Sequence, residues 1–489
     1  MDTKYFFAVD IGASSGRTIL GSLTDKKLEI SELTRFSNPL VEVGEHFHWD
    51  ILSLYKSIID GLKIVREKGI NIMSIGVDTW GVDFVAIDKN KELLGNPYSY
   101  RDPHTVDAPT KFFKKIPRKD VYDATGIQIM NFNSLFQFYT LNQNDSVSYK
   151  NADKLIFMPD ALSFLLTGTI VTEYTIASTA QILNPFTKQF DKKLLQEVGL
   201  TEDKFGRLVM PGTVIGQLSG SVRKQTGLAE ISVVAVAGHD TGSAVAAIPA
   251  IDENFAYISS GTWSLMGIEL KEPIVNEEAY RLNFTNEGGV DGTIRLLKNI
   301  CGMWLLEKCR AEWGTEKSYQ DLIAESEKCE PFRYLINPDD ATFSNPDCMT
   351  KAISEYCKQT GQGEPASVAE YVRCIFESLA LRYKQVLDSL QKLAPFPIER
   401  LHVIGGGSKN QLLNQFTANA LNIPLIIGPC EATAIGNVMM QAKALGLVDD
   451  LTEMRQIIGN SESTEKIIPQ DVEIWNEAYH KFLTICKIS

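Results

Sequence analysis

The chain has 489 residues, with 48 Lys plus Arg against 61 Asp plus Glu and a net charge of −13. A length of this order suggests two or three domains, and 44% hydrophobic with 22% charged residues is the composition of an ordinary soluble globular protein. The acidic balance, with no Lys/Arg run longer than two, argues against a nucleic-acid partner, and no apolar run approaches the roughly 18 residues needed to span a bilayer.

The N-terminus, MDTKYFFAVDIG, carries only a short apolar piece interrupted by Asp10 and does not read as a signal peptide, so the cytoplasm is the expected location. Tyr5 to Val9 reads as a strand, Asp10 to Gly16 as a turn of small residues, and Arg17–Leu23 and Leu28–Phe36 as two more strands of a meander. A helix follows, with Asp50 as N-cap, an apolar face of Ile51, Leu54, Tyr55, Ile58, Leu62 and Val65, and Gly69 as its end. Ile70–Val77 is an expected strand that leads into Asp78-Thr79-Trp80-Gly81, and Val82–Ile87 is another. Residues 97–230 are less regular and read as an insertion, helical in part over Ala152–Leu166.

The stretch ISVVAVAGHDTGSAVAAIP, from Ile231 to Pro249, reads as a buried valine-rich strand, a turn through Gly238-His239-Asp240-Thr241-Gly242, and a closely packed helix of small residues. Asp240 therefore falls where a buried strand hands over to a helix, the place where open α/β sheets bind ligands. From this stretch alone its carboxylate reads as a helix cap, a general base or a metal ligand, with capping the plainest of the three.

A second start then appears. Phe255–Ser259 is a strand, Ser260-Gly261-Thr262 a small-residue turn, and Trp263–Leu270 another strand, which echoes the first 23 residues. Repetition at this distance suggests duplicated domains. Asn299–Ala311 is expected to be helical. Ser367-Val368-Ala369-Glu370 fits a capping box opening a long helix that Pro395 and Pro397 end. Leu401–Ile404 is a strand, followed by Gly405-Gly406-Gly407 and a helix from about Asn410. Pro424–Ile427 is a short strand and Glu431–Ala444 a helix of little bulk. The eight cysteines show no C-x-x-C spacing and are expected to be free thiols; Cys357 and Cys374 meet only if their elements pack together.

The turns carry the chemistry. Gly12 and Gly16 let backbone N–H groups approach an anion, with Ser14, Ser15 and Arg17 adding donors and a charge; Asp10 is placed to hold a metal ion through water, and the alternative is a plain hairpin. Ser259-Ser260-Gly261-Thr262 repeats that pattern without the carboxylate. The triple glycine at 405–407 admits a flat ligand against the backbone or merely a sharp turn. Neither G-x-x-x-x-G-K-[ST] nor G-x-G-x-x-G nor G-x-S-x-G occurs, and His46-Phe47-His48 lacks a third zinc ligand.

With those turns in view, the sequence resembles the FGGY family of carbohydrate kinases, within the actin/hexokinase/Hsp70 ATPase superfamily. The resemblance rests on AVDIGASSGR (8–17), SIGVDTWGVDF (74–84), YRDPHT (100–105), GHDT (238–241), SSGTWSLMG (259–267), TNEGG (285–289), LKNICGMWLL (297–306) and VIGGGSKNQLLNQ (403–415). It implies an α/β protein of two actin-like (ribonuclease H-like) domains with an inter-domain cleft, residues 1–244 mainly sugar-binding and 245–489 mainly nucleotide-binding. It implies ATP and Mg²⁺, and phosphorylation of the 1-hydroxyl of a ketose. L-rhamnulose is the expected ketose and L-fuculose or xylulose the alternatives, with domain closure excluding water. Carried over by motif, Asp240 is the general base; Gly81, His239, Thr241 and Asn299 contact the sugar. Ala13, Ser14, Ser15, Gly16, Arg17 and Thr262 hold phosphates, Gly406 faces the nucleotide, and Asp10 orients Mg²⁺. Glu307 stands where the family pattern has Gln; its carboxylate accepts a hydrogen bond from the nucleotide but cannot donate one.

Overall fold

The computed structural model describes residues 3–314 and 317–486. The chain forms two units that do not follow its two halves: Met1–Ile251, Glu269–Leu296 and Ala432–Glu462 make the first, and Asp252–Ile268, Leu297–Glu431 and Ser463–Ser489 the second.

The first unit is built on a six-stranded sheet in the order Thr213–Gln217, Ser232–Ala235, Ile72–Thr79, Lys4–Ile11, Ser15–Thr24, Lys27–Ser37. The last three form the expected meander, antiparallel throughout. Lys4–Ile11 runs parallel to Ile72–Thr79, which runs parallel to Ser232–Ala235. Three carboxyl ends therefore point the same way, and they carry Asp10, Asp78 and the Gly238–Asp240 turn. The central strand Lys4–Ile11 is buried along Phe6–Ile11, because both its faces are covered. Helix Ile51–Glu67 buries Ile51, Leu54, Ile58, Leu62 and Val65 against this core, and Asp50 caps it by accepting from Ser53 N at 3.1 Å.

In the second unit the strands Trp263–Leu270, Phe255–Ser260, Arg400–Ile404 and Leu425–Ile427 stand side by side, with Ile294–Cys301 next to the first and Glu465–Ile467 next to the last. Phe255–Ser260 pairs antiparallel with its hairpin partner and parallel with Arg400–Ile404. This is the arrangement of the first sheet over again, a hairpin followed by parallel additions on its far side, as the repeated strand–turn–strand pattern implied. The long helix Val368–Leu393 opens on the expected capping box, Ser367 with Glu370.

Three expectations need correction. Asn299 lies on the strand Ile294–Cys301, and the helix starts only at Trp304. The break falls at Gly302, where a Cβ would come within 2.7 Å of Gly261 O and Ser264 Oγ, so the backbone presses too closely on the neighbouring strand for a side chain. The stretch 97–230 is no mere insertion: Thr213–Gln217 is an edge strand of the main sheet, and Phe112, Phe136, Phe138, Phe157 and Phe205 form part of a separate aromatic core within the unit. The strand expected from Val82 starts at Phe84, because Val82 has a φ of 66°. The eight cysteines are free thiols, with Cys357 and Cys374 both buried.

The helix Ala432–Ala444, late in the chain, closes the first unit. It packs on the sheet where glycines leave room: a Cβ at Gly21 would meet Val438 at 2.5 Å, and one at Gly76 would meet Asn437 Oδ1 at 2.4 Å. It also runs against helix Asp240–Ala246, with a Cβ at Gly436 falling 1.8 Å from Ser243 O, which is backbone and cannot swing aside. Ala is favoured over Gly in a helix by up to about 1 kcal/mol, but overpacking a tight contact costs about 1–3 kcal/mol. Gly436→Ala is therefore expected to lower stability despite its better helix propensity, as a fall in the urea midpoint; an unchanged or raised midpoint would show that the two helices separate freely.

Candidate active site

The carboxyl-terminal ends of the first unit's parallel strands assemble the site residues. Helix Asp240–Ala246 begins at Asp240, with His239 preceding it in extended conformation. One carboxylate oxygen of Asp240, Oδ1, accepts from Thr241 N at 2.5 Å and from Thr241 Oγ1 at 3.1 Å, and His239 Nε2 lies 3.5 Å from it. Oδ2 accepts no hydrogen bond among the described residues. The side chain is 31% exposed. One oxygen is thus tied to the helix start and the other is left without a partner among the described residues.

The turn carrying Asp240 is fixed from both sides. Thr79 N donates to Gly238 O at 2.9 Å, which splices the turn onto the end of Ile72–Thr79. From the other side Glu173 Oε2 accepts from Gly238 N at 3.0 Å, and Thr175 Oγ1 accepts from His239 N at 3.3 Å. The His239 ring is buried beside Glu287 and Arg295. Asp10 lies opposite Asp78 in the parallel register. It is paired with Arg17 across the hairpin at 2.5 Å, so the cation expected to meet phosphate already meets a carboxylate. Asp78 is fully buried, and burial first, then the charge of Asp10, push its carboxyl well above the usual range; it accepts from Asn437 Nδ2 at 2.5 Å. The hairpin between Asp10 and Arg17 is closed by Gly12 N donating to Ser15 O, and Asn38 bonds both Gly12 and Ser14, leaving Ser14 exposed at the tip.

Gly81 and Val82 make a second turn. Val82 N donates to Thr179 Oγ1 at 3.1 Å, and Ser134 Oγ donates to Val82 O. A β-branched residue with positive φ is held there against its preference, the kind of backbone strain found at ligand sites. Next to it, buried Asp83 accepts from Trp49 Nε1 at 2.6 Å, Trp80 Nε1 at 2.9 Å, Tyr100 N at 3.0 Å and Gln137 Nε2 at 2.9 Å. It gathers an aromatic wall in which the rings of Trp49 and Trp80 lie 4.3 Å apart.

In the second unit the structure brings together Thr262 and Glu307: Thr262 Oγ1 donates to the Glu307 carboxylate at 3.3 Å. The start of helix Trp304–Trp313 is seated on the same turn, with Met303 N donating to Gly261 O and Trp304 N to Thr262 O. Of the triple glycine, Gly405 and Gly407 press on Ser260, where a Cβ would come within 3.0 Å and 2.0 Å, whereas a Cβ at Gly406 would meet nothing. The outer two glycines serve packing and the middle one leaves open space. Asn299 is placed on the strand that ends beside this turn. Among the described residues no group of three or more His, Cys, Asp or Glu is arranged to hold a metal ion, and His46 and His48 are held by ring contacts to Tyr98 instead. No helix of the described residues is long and apolar enough to cross a membrane.

Sequence reasoning did not find Glu173, Thr175, Thr179, Asp83, Glu287 or Arg295. Only Asp83 and Glu287 lay within quoted motifs, and neither carried a role.

Comparison with known proteins matches residues 5–247 to the N-terminal domain of the FGGY family of carbohydrate kinases and residues 256–445 to its C-terminal domain. The chain is 61% identical to a rhamnulokinase of Bacteroides thetaiotaomicron over 98% of each protein, and 40% identical to one of Bacillus subtilis over 96% of each. Among solved structures it is similar to gluconate kinase from Lactobacillus acidophilus (TM-score 0.83, 18% identity, covering 99% of this chain and 98% of that one). It is also similar to Plasmodium falciparum glycerol kinase with ADP (TM-score 0.81, 17% identity, covering 100% and 99%). At these identities the solved structures establish the two-domain fold.

Burial, only partly offset by its four donors, raises the Asp83 carboxyl to about 6. Its folded value thus exceeds the unfolded value near 3.9, so the folded state holds the proton longer. Stability from this group is full below about pH 4, is lost as pH rises to about 6, and is level above; the loss is on the order of 3 kcal/mol. Asp83→Asn removes that slope. At pH 7 the amide is a weaker acceptor and turns an N–H toward a donor, a loss of about 1–3 kcal/mol set against the removed charge burial. Melting between pH 4.5 and 7 is expected to show a smaller pH dependence in the variant than in the wild type; equal slopes would refute the role of Asp83.

Proposed function

Because the chain belongs to the FGGY family of carbohydrate kinases, we propose that it catalyses ATP-dependent phosphorylation of L-rhamnulose at its 1-hydroxyl, giving L-rhamnulose 1-phosphate and ADP. The observation that carries the chemistry is Asp240, with Oδ1 held by the backbone N–H and hydroxyl of Thr241 and Oδ2 left to accept a proton. The substrate reading is supported by relatives named as rhamnulokinases that match nearly the whole chain, one of them at 61% identity.

In this reading Asp240 Oδ2 takes the proton of the 1-hydroxyl as its oxygen attacks the γ-phosphorus. The bond from that phosphorus to the bridging oxygen breaks, and ADP leaves with the electron pair. Phosphoryl transfer asks the protein mainly for alignment and charge stabilisation. Gly81, His239, Thr241 and Asn299 are assigned to the sugar, and the aromatic wall gathered by Asp83 gives the ketose an apolar face beside Gly81. Ala13, Ser14, Ser15, Gly16, Arg17 and Thr262 are assigned to phosphates. Glu307 and Gly406 are assigned to the nucleotide, Gly406 because its outward face is open and Glu307 as an acceptor already engaged by Thr262.

Mg²⁺ fits Asp10, an acidic side chain at a strand end that is paired with Arg17 and whose neighbour Asp78 has a carboxylate oxygen without a hydrogen-bond partner. A site with so few protein carboxylates suits an ion that keeps several waters and binds mainly through phosphates. When bound, Mg²⁺ neutralises phosphate charge. Residues 1–244 are assigned mainly to sugar and 245–489 mainly to nucleotide, with helix Ala432–Ala444 built into the sugar-binding unit, and the cytoplasm is the proposed location.

ADP release measured over L-rhamnulose, L-fuculose and D-xylulose is expected to show the highest kcat/KM with L-rhamnulose; preference for another ketose would move the substrate. Asp240→Asn is expected to keep the melting transition and to lower kcat by about 10²–10⁴-fold. Near-normal turnover in that variant would remove Asp240 as the base.

A further inference from the structure

The turn that carries Gly81 is held in a shape its own sequence disfavours. Asp83 N donates to Gly81 O at 2.9 Å, and Val82 between them has a φ of 66°. A bond between residues two apart, closed around a positive φ, is the strained form of the γ-turn. Glycine would take that φ freely, whereas a β-branched residue resists it, so the conformation is imposed by what surrounds the turn.

Two buried hydroxyls impose it, those of Thr179 and Ser134. Thr179 Oγ1 donates to Ile176 O at 2.8 Å and accepts from Val82 N at 3.1 Å. A hydroxyl has a single proton, so the bond to Ile176 O fixes it as the acceptor toward Val82. From the other side Ser134 Oγ donates to Val82 O. Both backbone polar groups of Val82 are thereby engaged, and φ cannot return to the negative region without turning one of them away from its partner. Thr179 also lies against Gly81 itself, where a Cβ would stand 3.2 Å from Thr179 Oγ1 and 3.4 Å from its Cγ2. Gly81 is half-buried, and its N–H donates to none of the described residues.

Thr179 closes a segment that also reaches the turn of Asp240. It follows the short helix Tyr174–Ser178, whose cap Glu173 accepts from Gly238 N and whose Thr175 accepts from His239 N. Ser178 Oγ accepts from Gly288 N at 2.8 Å. One stretch, residues 173–179, therefore gives the turn of Gly81 and the turn of Asp240 a common support.

We propose that Thr179 and Ser134 are positioning residues that hold the Gly81–Asp83 turn in its strained form, so that the Gly81 N–H is presented to the sugar at a fixed place relative to Asp240. The proposal rests on the sugar-kinase reading that assigns Gly81 to the ketose. It gives the strained valine at 82 a purpose, since strain of this kind persists only where neighbours over-determine it.

Thr179→Val keeps the shape of the side chain and removes the acceptor for Val82 N, while Ile176 O keeps its bond from Thr179 N. The variant is expected to raise the KM for L-rhamnulose about tenfold, the loss of one oriented hydrogen bond, and to leave kcat and the KM for ATP within about twofold of wild type. Thr179→Ser restores the hydroxyl and is expected to return the sugar KM to near the wild-type value. An unchanged sugar KM in Thr179→Val, or a KM for ATP that rises in step with it, overturns the proposal, as does a Thr179→Ser variant as impaired as Thr179→Val. Should Thr179→Val not fold, Ser134→Ala frees the same turn from its other side and is expected to raise the sugar KM likewise; a wild-type sugar KM there overturns the proposal. A different failure belongs to the reading beneath it. If the wild-type chain releases no ADP with L-rhamnulose, L-fuculose or D-xylulose, the sugar-kinase assignment falls and the clamp with it, whereas normal wild-type turnover beside an unchanged variant KM removes the clamp alone.

Discussion

The position of Asp240 depends on a buried carboxylate that is far from it in sequence. Glu173 accepts from Thr175 N, Thr175 Oγ1 and Ile176 N, which caps the short helix Tyr174–Ser178, and from Gly238 N, which anchors the turn ahead of Asp240. It ties the turn to a segment that sequence reading treated as irregular. The approach is so close that a Cβ at Gly238 would fall 2.9 Å from Glu173 Oε2 and 3.0 Å from Pro159, so the glycine is fixed by contact rather than by an unusual φ. Burial raises the Glu173 carboxyl, and four donors work against that rise. Asp160, beside it, accepts from Glu173 N and is pushed well above the usual range by burial first and then by Glu173. Two neighbouring buried carboxyls are tolerable when one holds its proton and the other is fully hydrogen-bonded.

The fold was legible wherever it rests on local pattern. The strands and turns of the first meander, the apolar face from Ile51 to Val65, the capping box at Ser367 and the repeated strand–turn–strand all produced the elements they implied. It failed where a distant backbone decides. LKNICGMWLL has apolar residues at spacings a helix would also show, and only the press of Gly302 against Gly261 and Ser264 fixes Asn299 on a strand. Valine at 82 is a strand former by every local rule, yet Thr179 and Ser134 hold it at positive φ. The mixing of the two halves was equally invisible: nothing in the small residues of Ala432–Ala444 says which sheet they cover, because that depends on matching glycines at 21 and 76.

The candidate site divides the same way. Asp240, His239, Thr241 and Asp10 sit at or beside small-residue turns at strand ends, and such turns announce themselves. Ser74, Gln441, Asn437 and Asp78 form a buried polar ladder: Ser74 Oγ donates to Gln441 Oε1, Gln441 Nε2 to Asn437 Oδ1, and Asn437 Nδ2 to Asp78 Oδ2. Each of these residues alone is an ordinary polar side chain, and their joint meaning exists only once the helix lies on the sheet. The same holds for Glu287 and Arg295, which are unremarkable charges until burial makes each necessary to the other.

The ladder bears on how like charge around Asp240 is held down in an acidic protein. Three aspartates converge at the strand ends of the first unit, and the carboxyl of Asp78 is raised by burial, by Asp10 and by Asp240. Were all three ionised and unpaired, the base would share its site with two like charges, and bound phosphates would add more. The structure removes that burden one residue at a time. Arg17 offsets Asp10 across the hairpin, and burial disfavours the charged form of Asp78, with Asn437 bonding one oxygen. The net charge near Asp240 is thereby kept low while its own Oδ1 is held by neutral donors from Thr241. Pairing offsets the charge of Asp10 and burial disfavours the charged form of Asp78, so fewer like charges face Asp240.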